Sequence, residues 1–291
     1  MDYTVSFKTA PRRIWNEPPN MVNPPASGSR QRRLLIRPGA IGDFIVSLPA
    51  LEALRSDWTE VWCAGQNVPL ARFADEAISI AAAGLDRLGF LPADDVIDRL
   101  RSFDYIISWY GSNSPAFQAL TRDTMRLNIT FLPALPNDGE HAAEFYRKQA
   151  IGLGTGQVAR SPLLPCPKIP RTFAAIHPFA SGTGKQVPRN VFERAAESLA
   201  RTMPVHWLRG PEEELRDAIH IPDLYDLGCW LAGARVFVGN DSGIAHLAAA
   251  VRTPVMALFP VTNPRQWAPR GPVVAANRWR RSNIATALAA G

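Results

Sequence analysis

Residues 236–259 read VFVGNDSGIAHLAAAVRTPVMALF. An apolar run ends at Gly239, Asp241-Ser242-Gly243 makes a turn, small residues fill a helix over 244–251, and a second apolar run follows at 255–259. This is the order of a βαβ unit in a parallel sheet. Ligands of such sheets bind at the carboxyl ends of the strands, so the turn is the first place to look for chemistry. The N–H groups of Ser242, Gly243 and Ile244 open the helix, and its dipole favours an anion there; a diphosphate fits. Ser242 adds a hydroxyl donor, and Asp241 is placed to accept from sugar hydroxyls. His246, one turn further on, either faces the ligand or serves the structure.

The same alternation extends toward the N-terminus. Strands are expected at 173–177 and 205–208, and helices at 191–202 and 224–232, with a closing helix at 283–290. Between strand and helix, residues 176–189 read IHPFASGTGKQVPR. Ser181, Gly182, Thr183 and Gly184 offer backbone and hydroxyl donors to phosphate, and Lys185 a point cation, unless it is an ordinary solvated lysine.

A second series lies nearer the N-terminus, with strands at 34–36, 60–64, 105–109 and 127–131 and a helix at 43–55. Its first strand-to-helix turn lies in IRPGAIGDFIVSLPAL, residues 36–51. Gly39 and Gly42 permit a tight turn and close backbone approach. The turn lacks the Lys-Ser/Thr of a Walker sequence and the three-glycine spacing of a dinucleotide fingerprint, so neither nucleotide hydrolysis nor NAD binding gains support. Asp43 has two readings: a cap for free backbone N–H groups, or a base that accepts a proton from an attacking hydroxyl.

These series divide the 291 residues into a Pro-rich arm (1–30), an N-terminal α/β domain (31–160), a linker (161–172) and a C-terminal α/β domain (173–291). The linker assignment rests on ARSPLLPCPKIPR, residues 159–171, with four prolines in thirteen residues. A composition of 46% hydrophobic and 20% charged residues is that of a globular protein. The formal charge of +6 calls for an acidic partner. Its basic residues form no long runs interleaved with aromatics, so nucleic acid is not expected. Cys63, Cys166 and Cys229 have no metal or redox spacing and fit a reducing compartment. With no signal-peptide or membrane-spanning pattern, a cytoplasmic location is expected, with any membrane contact peripheral.

Weaker candidates have ordinary explanations beside them. His141 with Glu140 and Glu144 mimics a metal cluster, against a solvated helix face. The run Glu212-Glu213-Glu214 offers a carboxylate to a ribose, against a capped helix start. Trp109 offers a stacking face, against core packing, and Trp267 reads as a packing residue.

The order and separation of RPGAIGDFIVSLPAL, HPFASGTGKQVP, GNDSGIAHLAAAVRTPVMALF and PVTNPRQWAPRG resemble glycosyltransferase family 9, the ADP-heptose:lipopolysaccharide heptosyltransferases. The resemblance implies a GT-B fold, two Rossmann-like domains with parallel sheets facing across a cleft, the donor held mainly by the C-terminal one. It implies inverting transfer without a metal or other cofactor, from a nucleotide sugar (ADP-heptose) to an anionic glycolipid or glycan such as a lipopolysaccharide core. By position, Asp43 matches the catalytic base, Lys185 the donor-phosphate lysine, and Asp241, Ser242, Gly243 and His246 the donor-binding turn. Ser181 or Thr183 adds a phosphate hydroxyl, and Glu213 or Glu214 matches a carboxylate near the donor ribose. The sequence departs from the family at Gln186-Val187, where many members carry an aromatic. Two other readings stay open: a relative acting on the sugar nucleotide itself, as an epimerase or hydrolase, and a non-catalytic scaffold that binds it.

Overall fold

A computed structural model describes residues 30–88, 94–277 and 281–289. The expected arm, apart from Arg30, lies outside the described residues. The first series forms β1 (Arg32–Arg37), α1 (Ile41–Ala53), β2 (Trp58–Cys63), β3 (Glu76–Ser79), α2 (Asp94–Arg101), β4 (Tyr105–Ser108), α3 (Pro115–Ala119), β5 (Ile129–Phe131) and α4 (Ala142–Gly152). The second forms β6 (Phe173–His177), α5 (Arg189–Leu199), β7 (Val205–Trp207), α6 (Leu224–Leu231), β8 (Ala234–Asn240), α7 (Gly243–Ala250), β9 (Val255–Leu258), α8 (Pro264–Trp267), β10 (Val273–Ala276) and α9 (Arg281–Ala289).

Each series builds one five-stranded sheet, ordered β3-β2-β1-β4-β5 in the first and β10-β9-β8-β6-β7 in the second. All pairings are parallel; Leu35 stands opposite both Val61 and Ile107, and Val238 opposite both Ile176 and Met256. The strand order reverses between β1 and β4 in one sheet and between β6 and β8 in the other, and such reversals open crevices at the strand ends. The turns carrying Asp43, Lys185 and Asp241 follow β1, β6 and β8. This is the two-domain GT-B architecture.

One apolar core runs through both sheets, from Leu35 on β1 through Phe44 and Leu48 on α1 to Leu247 and Ala248 on α7 and Phe237 on β8. Helix α1 is buried continuously from Phe44 to Leu51 because α4 and α7 pack on it, as expected of a helix apolar on every side. Arg72 stacks 4.5 Å over the Tyr225 ring, and His141 and Gln266 bond to the Ala268 and Asn137 carbonyls at 3.0 and 2.9 Å, fastening the two halves beside this core. Among the described residues, no helix is long and apolar enough to cross a membrane.

Two of the cysteines, remote in sequence, meet in space: Cys229 on α6 and Cys166 in the segment between the sheets have Sγ atoms 2.9 Å apart as free thiols.

Candidate functional site

The turns after β1, β6 and β8 surround a cavity of about 280 Å³, lined by Asp43 from one half and by Ser181, Lys185, Asp241, Ser242 and His246 from the other. The N-termini of α1 and α7 both open onto it. Ala40 and Ser242 occupy the two N-cap positions, and neither side chain caps its helix. Two uncapped helix starts at one cavity concentrate free N–H groups and the positive ends of two dipoles, which favours an anion.

Glycine is what lets them converge. A Cβ added at Gly243 would stand 2.5 Å from Ile41 Cβ, and one at Gly42 would stand 3.1 Å from His246 Cδ2. Gly39 has φ of +119°, in the region that L side chains rarely adopt.

Asp43 sits in the first turn of α1 but not at its N-cap, so the capping reading fails: the cap position belongs to Ala40. Beneath it Arg37 is buried, donating from Nη2 to the Asp43 carbonyl at 3.0 Å and to the Tyr146 hydroxyl at 2.8 Å, and from Nε to Ser47 Oγ at 3.1 Å. Burial pushes the Arg37 guanidinium below its usual range, while the Tyr146 ring and the Asp43 carboxylate oppose that shift.

Across the cavity, Lys185 Nζ lies 3.3 Å from Asp241 Oδ2, and Thr262 Oγ1 donates to the same oxygen at 2.5 Å. Asn240 holds the loop after β6 to the end of β8, donating to the Pro178 carbonyl at 2.7 Å and accepting from the Val187 N–H at 3.1 Å. Ser242 Oγ is buried without a hydrogen-bond partner among the described residues. Burial pushes the His246 imidazole down to about 4, against the pull of Asp241 and Asp43, so the ring is neutral near pH 7. Ser181 is exposed on the rim, and Thr183 lies in the 3-10 turn Thr183–Lys185, its side chain outside the described part of the structure.

Other candidates lie elsewhere. Glu213 does not line the cavity; it accepts from His177 Nε2 at 3.0 Å and from the Gly210 N–H at 2.5 Å. Burial alone raises its pKa, but those partners outweigh it and leave the carboxyl below its usual range. Glu214 is exposed, and no helix starts at this acidic run, contrary to the cap reading. The cluster at His141 is no metal site: Glu140 pairs with Lys148, Glu144 pairs with Arg147, and both His141 nitrogens bond backbone groups. Trp109 is buried and donates to Gln149 Oε1 at 2.8 Å, and it also belongs to the lining of a larger cavity at the ends of β4 and β5.

Arg37, Tyr146, Thr262 and Leu135 escape the sequence reading. Thr262 stands in a motif that carried the resemblance, but nothing local says that it bonds Asp241. Trp267, read as packing, lines the cavity. A second, larger cavity of about 1140 Å³ lies at the ends of β4 and β5 and shares Leu135 with the first.

Residues 146–287 match the profile of glycosyltransferase family 9 (heptosyltransferase). No curated protein sequence matches the chain. Among solved structures, it is similar to the ADP-heptose LPS heptosyltransferase II of E. coli (18% identity, TM-score 0.62, covering 89% of this chain and 99% of that one). It is also similar to the E. coli heptosyltransferase WaaC with ADP (18%, 0.61, 84% and 93%). A third is a family 9 glycosyltransferase from Veillonella parvula DSM 2008 (15%, 0.61, 84% and 85%). Residues 146–287 therefore form a glycosyltransferase family 9 (heptosyltransferase) domain, set within a GT-B fold that spans both halves.

Proposed function

We propose that the chain transfers a sugar, with inversion, from a nucleoside-diphosphate sugar to a hydroxyl of a glycan acceptor. ADP-heptose is the donor this reading favours, because two of the similar structures are of heptosyltransferases, one with ADP. The observation that carries the proposal is the cavity itself, with a carboxylate on α1 facing Lys185 and the start of α7.

In this mechanism the acceptor hydroxyl attacks the anomeric carbon from the face opposite the diphosphate. Asp43 takes the hydroxyl proton as the new C–O bond forms and the bond to the diphosphate oxygen breaks. Charge developing on the diphosphate meets Lys185, Ser242 Oγ and the N–H groups at the start of α7, donors fixed in place before the reaction. The neutral His246 ring contributes a hydrogen bond. Positive charge that a metal would supply elsewhere comes here from Lys185 and the helix starts. The resemblance assigns the donor ribose to Glu213 or Glu214, which stand outside this cavity.

Asp43→Asn tests the assignment. Transfer is expected to fall by about 10²–10⁴-fold, with ADP affinity within about twofold of wild type. Transfer at the wild-type rate would remove Asp43 as the base. Product analysis without acceptor separates transfer from epimerisation or hydrolysis of the donor.

A further inference from the structure

The larger cavity, about 1140 Å³, is of a size to hold a saccharide of more than one unit. Its floor carries three half-buried rings in an edge-to-face chain: Tyr110 to Phe117 at 5.4 Å between centroids, and Phe117 to Phe131 at 6.1 Å. The array is built in. Gly111 has φ of +71°, and a side chain there would collide with the Phe117 ring. Ser114 caps α3 by accepting from the Phe117 N–H, and Gln118 Nε2 fixes the turn by donating to the Ser112 carbonyl at 2.8 Å. Rings held at fixed angles suit the apolar C–H faces of a sugar, while the Asn113 and Gln118 amides supply neutral polar contacts.

Charge is scarce in this cavity. Among the described residues its lining holds one cation, Arg122, and one carboxylate, Asp86. The Arg122 guanidinium already lies over the Phe131 ring at 5.0 Å. An acceptor bearing several carboxylates or phosphates would lose hydration on entering without gaining enough cations, which costs free energy.

Resting on the transferase reading above, we infer that the aromatic cavity at the ends of β4 and β5 takes an uncharged saccharide as the acceptor. Its reacting hydroxyl passes Leu135, a side chain 62% exposed on the rim shared by both cavities, to reach Asp43. This narrows the expectation drawn from the net charge of the chain. The positive surplus does not lie in this cavity, so an anionic glycolipid would have to present an uncharged unit to it.

The test is a binding panel on the full chain, without donor, by saturation-transfer NMR: alkyl glycosides of neutral hexoses and heptoses beside the matching uronic acids and sugar phosphates. Neutral members are expected to bind at least about tenfold more tightly than their acidic counterparts. Phe117→Ala is expected to weaken neutral binding by about tenfold while ADP affinity stays unchanged. Asn113→Lys, an exposed position safe for folding, should bring the acidic members to within about twofold of the neutral ones. Equal or tighter binding of the acidic members to wild type, or binding of neither class, overturns the inference. A separate titration with ADP-heptose judges the transferase reading, so the two failures are told apart.

Discussion

Gly243 and Ile41 meet where the two halves of the molecule touch, so closely that a methyl group on Gly243 would stand 2.5 Å from Ile41 Cβ and 3.1 Å from the Gly42 nitrogen. Both sides of this contact are helix starts, so nothing flexible is available to yield. Gly243→Ala is expected to cost about 1–3 kcal/mol by overpacking and to spread the anion-binding helix starts. Thermal melting and ADP titration should then both shift. A variant that melts and binds as wild type does would mean that the two helix starts are not held in contact.

Lys185 and Asp241 form a pair in which the lysine is 37% exposed and the carboxylate 6%. A half-exposed pair of this kind contributes little to stability, whereas a charge-assisted bond to phosphate is worth about 1.5–3 kcal/mol. Lys185→Ala should therefore weaken ADP by about 10–100-fold and leave the melting temperature close to wild type. Isothermal titration decides it, and unchanged ADP affinity would return Lys185 to the status of a solvated loop lysine.

The central strands and the three turns that line the smaller cavity were legible because each pairs an apolar run with an abrupt turn of small polar residues. Two of the four edge strands were not: β3 reads EAIS and β10 reads VVAA, too short to show alternation, and only pairing with β2 and β9 makes them strands. Helix α2, DDVIDRLR, has the helical period, but its 8 residues are fewer than the span over which that period becomes distinct. Within the site, Asp43, Lys185 and Asp241 were readable because they stand at strand ends. Arg37 and Tyr146, 109 positions apart, become partners only through the packing of α4 on α1, and no local pattern records that. The aromatic cavity was hidden for the same reason, since its rings come from β5, α3 and the turn after β4.

Tyr146 ties Asp43 to the rim of the larger cavity. Its hydroxyl accepts from Arg37 Nη2 at 2.8 Å and donates to the Ala134 carbonyl at 2.7 Å, while the same Nη2 holds the Asp43 carbonyl at 3.0 Å. Burial pushes the phenol up to about 12, so it is a neutral donor throughout the working pH range. Tyr146→Phe leaves a buried guanidinium N–H and a carbonyl unpaired, at a cost of about 1–3 kcal/mol. We expect turnover to fall by about tenfold as the Asp43 loop loosens, with ADP affinity unchanged. A drop in stability alone, with turnover per folded molecule preserved, would reduce Tyr146 to a packing role.

Glu52, near the end of α1, carries a carboxyl that burial raises from 4.5 to about 7, with Arg55 opposing. The folded protein thus holds this proton more tightly than the unfolded chain. The stabilisation is complete below about pH 4.5, declines as pH rises, and is gone above about 7, with a ceiling of about 3 kcal/mol. His246 acts oppositely: its folded value of about 4 lies below the ordinary 6.5, so stability is lost as pH falls through that interval. Glu52→Gln removes the first effect and keeps the second. Melting temperatures of the variant should therefore match wild type near pH 4.5, exceed it increasingly up to pH 7, and keep a constant lead beyond. Parallel curves for the two proteins from pH 4.5 to 8 would show that Glu52 is ionised in the fold at its ordinary pKa.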